Sequence, residues 1–408
     1  MKVLVLDEWL PWPLESGKKI RTYNLISRLA VEHEILYMAY MSLPEDAPKK
    51  LVMERHGISV VPVQDRRVPK WTAAFYFMVL MNFISRDPFS TVYHIRKEFI
   101  SELDRVIKRE KPDLIHCEWT NLAPFLRHVR GIPSVISAHN VESDIWKRFG
   151  DHGSNIFKRI LGESQARKIE RLERYWYPRA SICTAVSPED LEVIRGYGAR
   201  VELVENGVDI AYYDSYTRKD DVDNDSIVFT ASFDTFSNQD GAEYFVRDIY
   251  PIIKKKNPRI HLWLVGREPT SAIKSLSMQD PSIHVTGTVD DVRQYIARAA
   301  LCVVPLRIGG GSRLKILEAL AMKKAVVSTT VGAEGLNVSH GENILLADTE
   351  DYFSNCVVEC INNPEKRESL GSAGYSLVKK QYDWAPLAQK LDEVWLEAKS
   401  GFNEGVAK

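Results

Sequence analysis

Residues 307–321 read RIGGGSRLKILEALA. Three successive glycines, Gly309, Gly310 and Gly311, lead into Ser312, Arg313, Lys315 and Glu318. Glycine lets an anion approach the backbone, and a helix starting there offers unpaired N–H groups and the positive end of its dipole. Ser312 is a good N-cap, and Leu314, Leu317, Leu320 and Ala321 form one apolar helical face. Arg313 and Lys315 in the first turn oppose the helix dipole, a cost that is offset when a phosphate lies between them. Glu318 then stands where a carboxylate can accept hydrogen bonds from ribose hydroxyls. The pattern predicts a nucleoside diphosphate site, with pyrophosphate at the glycines and ribose at Glu318. A glycine-rich connector followed by a Lys–Glu helix pair is the blander alternative. The Gly-x4-Gly-Lys-Ser/Thr spacing of a Walker A loop is missing, and no Gly-x-Gly-x-x-Gly follows the first strand, which disfavours a dehydrogenase.

The elements that must hold these residues are strands alternating with helices. Short β-branched runs predict strands at 3–6, 34–39, 59–62, 114–117, 134–138, 182–185 and 201–204. A second series falls at 227–231, 261–265, 283–286, 301–304, 325–328 and 344–347. Helical patterns such as KKIRTYNLISRLA separate them, which argues for α/β layering with parallel sheets. Residues 210–226 are polar, acidic and without apolar periodicity, and read as a linker. The expected organisation is two doubly wound α/β domains, 1–208 and 227–380, joined by a linker (209–226) and followed by a last helix (381–408) that can cross back to the first domain. Such sheets bind ligands at the carboxyl ends of their strands, so two of them facing each other would hold a site in the cleft.

A formal net charge of −1 over 408 residues speaks against bulk nucleic-acid binding. Five scattered cysteines, an odd count, fit a reducing compartment, and the expected location is cytoplasmic. Cys356 and Cys360 lie one helical turn apart with no further ligand near, so they read as buried thiols. WTAAFYFMVLMNFI, residues 71–84, is too short to span a bilayer as a helix and is read as a buried helix, with an interfacial helix as the alternative.

Other side chains have two readings each. His139 ends PSVISAH at a strand's carboxyl end, where it either caps the strand or faces a ligand. Glu118, in HCEWTN, either serves an acceptor or caps the next helix, and the cap is favoured. Glu205 and Asn206, in VENGVD, read as hinge geometry. The acidic run DDVDND precedes a strand rather than ending one, so it reads as solvated surface and no metal site is expected.

Taken in order, SGKKIRTYNLISRLA, SAHNVES, TAVSPEDLEVI, VENGVD, WLVGREP, VTGTVDDVRQYIARA, VVPLRIGGGSRLKILEALAMKKAVVST and YDWAPLAQKL resemble the retaining nucleotide-sugar glycosyltransferases of family 4, over nearly the whole chain. The resemblance implies the GT-B fold of two Rossmann-like domains, an N-terminal acceptor domain (1–208) and a C-terminal nucleotide-sugar donor domain (227–380). It implies transfer from a nucleotide-diphosphate sugar to an acceptor hydroxyl with retention of configuration, as in bacterial polysaccharide assembly, with no cofactor beyond that donor. It also implies that Gly17 and Lys18 face the donor phosphates, that His139 contacts the donor sugar, that Asn238 lies near the donor and that the base sits near Gly266 and Thr286–Gly287. The acceptor would be a sugar, a lipid-linked molecule or another hydroxyl, recognised near residues 65–95, whose aromatics and cations suit a lipid-linked acceptor with peripheral membrane contact or, equally, a helical lid. Two departures stand out. Many members carry two glutamates with seven residues between them; Glu318 fits the second, but Gly310 occupies the first. The usual Arg and Lys after the second domain's first strand are absent from TASFDTFSNQDGAEYF, leaving Arg313 and Lys315 to supply the charge. A sugar-nucleotide epimerase of the same architecture and a catalytically silent sugar-nucleotide binder remain as alternatives.

Overall fold

A computed structural model describes residues 1–42, 44–151, 156–216, 222–308 and 313–406. The chain forms two compact units, Met1–Glu205 with Ala385–Lys408, and Asn206–Trp384.

In the first unit, β1 (Lys2–Leu6), β2 (Glu34–Met41), β3 (Ile58–Gln64), β4 (Leu114–Cys117), β5 (Ser134–Ser137), β6 (Ile182–Ala185) and β7 (Val201–Leu203) form one sheet in the order β3-β2-β1-β4-β5-β6-β7. All of its pairings are parallel. Helices on both faces explain why β1, β4, β5 and β6 are buried along nearly their whole length. The chain winds outward from β1 to β3, then returns to β4 on β1's other side. That reversal leaves a crevice at the carboxyl ends of β1 and β4, where Asp7 and Glu118 emerge. The helix Trp384–Val406 contributes most of its length to this unit, where Trp395 Nε1 donates to His116 Nδ1 at 3.0 Å and His33 pairs with Asp392 at 2.6 Å.

The second unit repeats the plan. Here β8 (Asp223–Thr230), β9 (His261–Val265), β10 (Ile283–Gly287), β11 (Ala299–Val304), β12 (Val326–Ser328) and β13 (Leu345–Leu346) pair in parallel in the order β10-β9-β8-β11-β12-β13. The reversal now lies between β8 and β11. Gly266 closes β9 at φ +152°, and a Cβ there would fall 1.6 Å from the Ala231 carbonyl oxygen. Only glycine lets the ends of β8 and β9 approach so closely.

Three expectations change. The segment 71–84 is not buried: the helix Ala73–Asn82 leaves Trp71, Tyr76, Phe77, Leu80, Met81 and Ile84 exposed. Its apolar residues occupy both faces, and composition alone does not say which face a neighbour covers. The proposed linker holds a short helix, Ile210–Asp214, capped by Asp209 and anchored by buried Ile210, and β8 starts at Asp223 rather than at 227. The acidic DDVDND run therefore enters a strand, where Asp223 meets His261 and Asp225 meets Asn257. Finally, the helix after the glycine triplet runs from Leu314 to Ala321, and Arg313, at φ 52°, holds its N-cap position. Gly309, Gly310, Gly311 and Ser312 lie outside the described residues.

Gly266→Ala is expected to lower unfolding free energy by at least ~3 kcal/mol, because backbone must shift to clear the Cβ. Gly198→Ala, at φ +83° with nothing within 4 Å of its Cβ, should cost only ~1 kcal/mol. Urea denaturation of both variants measures the difference; equal losses would mean that the close approach at Ala231 is not a constraint.

Candidate active site

In the second unit, strand order places the ends of β10, β9, β8 and β11 side by side, so Gly287, Gly266, Ser232 and Pro305 share one edge. The helix Phe236–Tyr244 starts just after β8 and carries Asn238 in its first turn. The Asn238 amide nitrogen donates to the Ser232 carbonyl and to Thr235 Oγ1, both at 2.7 Å. Its oxygen thereby faces Lys315, whose ammonium donates to it at 2.5 Å. Lys315 also lies 5.0 Å from the centre of the Phe229 ring. No carboxylate makes a direct ion pair with this ammonium among the described residues. Burial, reinforced by the nearby Arg313 guanidinium, brings its pKa down to about 7.

The neighbouring carboxylate, Glu318, is engaged elsewhere. It accepts a hydrogen bond from the Tyr213 hydroxyl. Burial raises its pKa, against that bond and the charge of Lys315. Arg313 pairs with Glu334 at 2.8 Å and donates to the Glu334 carbonyl at 3.3 Å. The structure thus joins Lys315 to Asn238 and sets Glu318 beside them, while Arg313 points to the end of β12.

One cation escaped the sequence reading. Arg267 follows Gly266 at the end of β9 and reaches across to the loop after β8. Its Nε donates to Ser232 Oγ at 2.6 Å, and an Nη lies 3.3 Å from Asp234. It stands in space near the segment TASFDTFSNQ, from which the expected basic residues were missing. Only the pairing of β9 with β8 reveals this, since nothing in WLVGREP marks the arginine.

The first unit carries a denser polar cluster. Lys18 is the second residue of the helix Gly17–Leu29, which Ser16 caps. Its ammonium bonds Asp7 at 2.6 Å and Glu8 at 3.2 Å and lies 5.2 Å from the Trp119 ring centre. Burial disfavours the charge, but Asp7 and Glu8 outweigh it and raise the Lys18 pKa. Tyr37 donates to the other oxygen of Asp7 at 2.5 Å. Lys18, expected to face donor phosphates, therefore has its charge met within its own unit. His94 is neutral: burial pushes its pKa down to about 3, and it accepts from Arg67 at 2.7 Å through Nδ1.

Glu118 is the hub, not a helix cap. The turn Thr120–His128 that follows has Trp119 at its N-cap position and no side-chain cap. Glu118 is 2% exposed, accepts from Thr22 Oγ1 at 2.5 Å and is bonded by His116 Nε2. Because Trp395 donates to His116 Nδ1, the His116 proton sits on Nε2 and points at Glu118. His139 Nε2 lies 2.9 Å from the Glu118 carbonyl and 3.2 Å from its Oε1. Both are acceptors, so Nε2 of His139 carries a proton. Burial alone would raise the Glu118 pKa; His116 and His139 overcome it and hold the carboxylate well below its usual range. Beside this cluster, buried Arg21 donates to the Glu205 carbonyl while its Nε has no partner among the described residues, and burial lowers its pKa to about 10. Glu205 also pairs with Lys390 at 2.8 Å, so it serves structure within this unit.

Comparison with known proteins covers both halves. Residues 19–212 match the family described as Glycosyltransferase Family 4, and residues 224–363 match the one described as Glycosyl transferases group 1. A Klebsiella pneumoniae protein, described as an uncharacterised 44.6 kDa protein in the cps region, is 26% identical over 40% of this chain and 44% of its own. An uncharacterised glycosyltransferase of Methanocaldococcus jannaschii is 32% identical over 26% of this chain and 31% of its own. The chain thus spans less than half the length of the curated relatives it matches. Among solved structures, HepE from Anabaena in complex with UDP and glucose has TM-score 0.66 at 16% identity, over 97% of this chain and 99% of that one. Sucrose-phosphate synthase from Thermosynechococcus elongatus has TM-score 0.70 at 16% identity, over 98% and 100%. At such identities the likeness shows the fold.

Glu118→Gln gives a signed test of the hub. A carboxylate whose folded pKa is depressed adds stability above its unfolded value, near 4.5, and that stability fades as pH falls below it. The stability gap between parent and variant should therefore be full at neutral pH and shrink under acid, as read by urea midpoints across pH. A gap independent of pH would refute the ionised hub.

Proposed function

We propose that this chain, which belongs to the group 1 glycosyltransferases, moves a sugar from a nucleotide-diphosphate donor to an acceptor hydroxyl with retention of configuration, in glycan or polysaccharide biosynthesis. The observation that carries the reading is Lys315: a desolvated ammonium at the ligand-binding edge of a doubly wound sheet, held by a neutral amide. Such a group gains most from an incoming phosphate, which would restore the charge that burial suppresses. HepE, of the same fold, was crystallised with UDP and glucose, which supports a nucleoside diphosphate as the ligand class.

In this reading the diphosphate lies against Lys315, Arg267 and the backbone of Gly309–Ser312, with Arg313 as a reserve of charge held by Glu334. Glu318 exchanges its Tyr213 partner for, or shares it with, the ribose hydroxyls. The base lies near Gly266 and Gly287, and Asn238 orients Lys315 rather than standing apart. Gly17 lets the donor approach the start of its helix, and Lys18 acts through Asp7 and Glu8. His139, its Nε2 committed to Glu118, contacts the donor sugar.

Chemically, the bond from sugar C1 to the phosphate oxygen breaks as the acceptor oxygen bonds C1 on the same face. The acceptor proton passes to the leaving phosphate oxygen. Negative charge grows on that oxygen, and preorganised donors there are each worth ~2.7–4 kcal/mol. These cations do the work that a divalent ion does elsewhere, so the proposal includes no metal and no further cofactor.

Calorimetry with UDP, GDP and dTDP in chelator tests the site. Lys315→Met should weaken the preferred nucleotide at least ~10-fold, the scale of losing one charged hydrogen bond. Free Lys315 loses its proton as pH rises past about 7, while a bound diphosphate favours the charged form. Affinity should thus fall with rising pH in the parent, and the slope should vanish in the variant. Unchanged affinity in Lys315→Met would end the phosphate assignment. Product analysis with donor alone separates an epimerase from a transferase.

A further inference from the structure

The helix Ala73–Asn82 has an inner and an outer face. The inner one packs on the first unit. Phe75 meets Phe89 and Tyr93 edge-on, with centroids 5.4 and 5.9 Å apart, and Met78 contacts Arg96. Asn82 accepts from Gln165 at 2.8 Å and from Lys168. The outer face carries Tyr76, Phe77, Leu80, Met81 and, just past the helix end, Ile84, a stripe at helical spacing. A helix seated on a water-soluble surface puts polar residues there. This one instead leaves Phe77 64%, Leu80 62% and Ile84 80% exposed, with Trp71 at 77% beside its N-terminus. On the long helix Ile156–Trp176, which supplies Gln165 and Lys168, Ile156 and Ile160 are exposed as well.

The charges around the stripe select its partner. Between residues 66 and 87 there are four cations, Arg66, Arg67, Lys70 and Arg86, against one acid, Asp87, in a chain whose net charge is −1. Arg67 is buried and paired with Asp65. Lys70 and Arg86 are exposed, flank the stripe at its two ends and pair with no carboxylate among the described residues. Aromatic and aliphatic side chains on the outer face, framed by unpaired cations, match a bilayer interface: apolar groups enter the headgroup boundary while lysine and arginine stay with anionic headgroups. Two copies meeting through this face would set Lys70 and Arg86 among like charges, and no helix among the described residues is long and apolar enough to cross the membrane. We propose that the outer face of Ala73–Asn82 docks this protein on the surface of an anionic lipid bilayer.

Sedimentation of the full chain with vesicles tests this. The parent should pellet with phosphatidylcholine–phosphatidylglycerol vesicles and far less with phosphatidylcholine alone. Phe77→Ser with Leu80→Ser should reduce the bound fraction at least ~10-fold, since it removes two large side chains from the centre of the apolar stripe. Lys70→Glu with Arg86→Glu should abolish the preference for anionic lipid. Both side-chain pairs are exposed, so melting temperature and UDP affinity should match the parent; that separates failure here from failure of the donor site. A parent that stays in the supernatant with both vesicles overturns the proposal, as does a serine variant that pellets equally. Sedimentation velocity without lipid that shows a dimer abolished by the serine variant would assign the face to a second copy instead.

Discussion

What a buried lysine is given as a partner decides what it can do, and this chain uses both options. Lys18 and Lys315 each stand second in a helix near the carboxyl edge of a parallel sheet. Lys18 receives two carboxylates and is held charged; Lys315 receives a neutral amide and drops to about 7. The first is a closed ion pair with nothing to gain from an anion. The second has no carboxylate partner among the described residues, and a polyanion would supply one. The resemblance treats both helix starts as phosphate-facing, yet electrostatics make them unequal, and the proposed diphosphate site is at the lysine that lacks a carboxylate.

The same logic orders the first unit. With Lys18 committed to Asp7 and Glu8, the remaining buried carboxylate, Glu118, is served by histidines. Its partner on the far side is the C-terminal helix, because Trp395 fixes the proton of His116. A chain of hydrogen bonds thus runs from Trp395 through His116 and Glu118 to His139. It settles which nitrogen His139 presents before any substrate arrives. Residues separated by most of the sequence meet because parallel strands deliver their ends to one edge, and because the last helix rejoins the first unit.

The fold was legible because its signal is local. Every one of the predicted strand segments is a strand, since β-branched runs buried on both faces need no distant partner to be recognised. The site was legible only in part. Lys315, Asn238 and Glu318 stand out from a helix start and a family pattern, but what each one touches depends on side chains from other strands. Arg267 was invisible for that reason, and Glu118 was misjudged as a cap because a single acid before a turn looks the same in either role. The glycine triplet lies outside the described residues.

Residues 71–84 show where sequence reasoning stops for a different reason. Periodicity measures whether a helix has an apolar face, not whether protein or lipid covers it. When both faces are apolar, as here, burial is the default inference, because exposed apolar area in water is costly. The structure removes that default by showing the outer face uncovered. What remains to choose the cover is charge, and the helix is bounded by cations in a chain that is otherwise balanced. A transferase held at a surface in this way would meet acceptors confined to two dimensions.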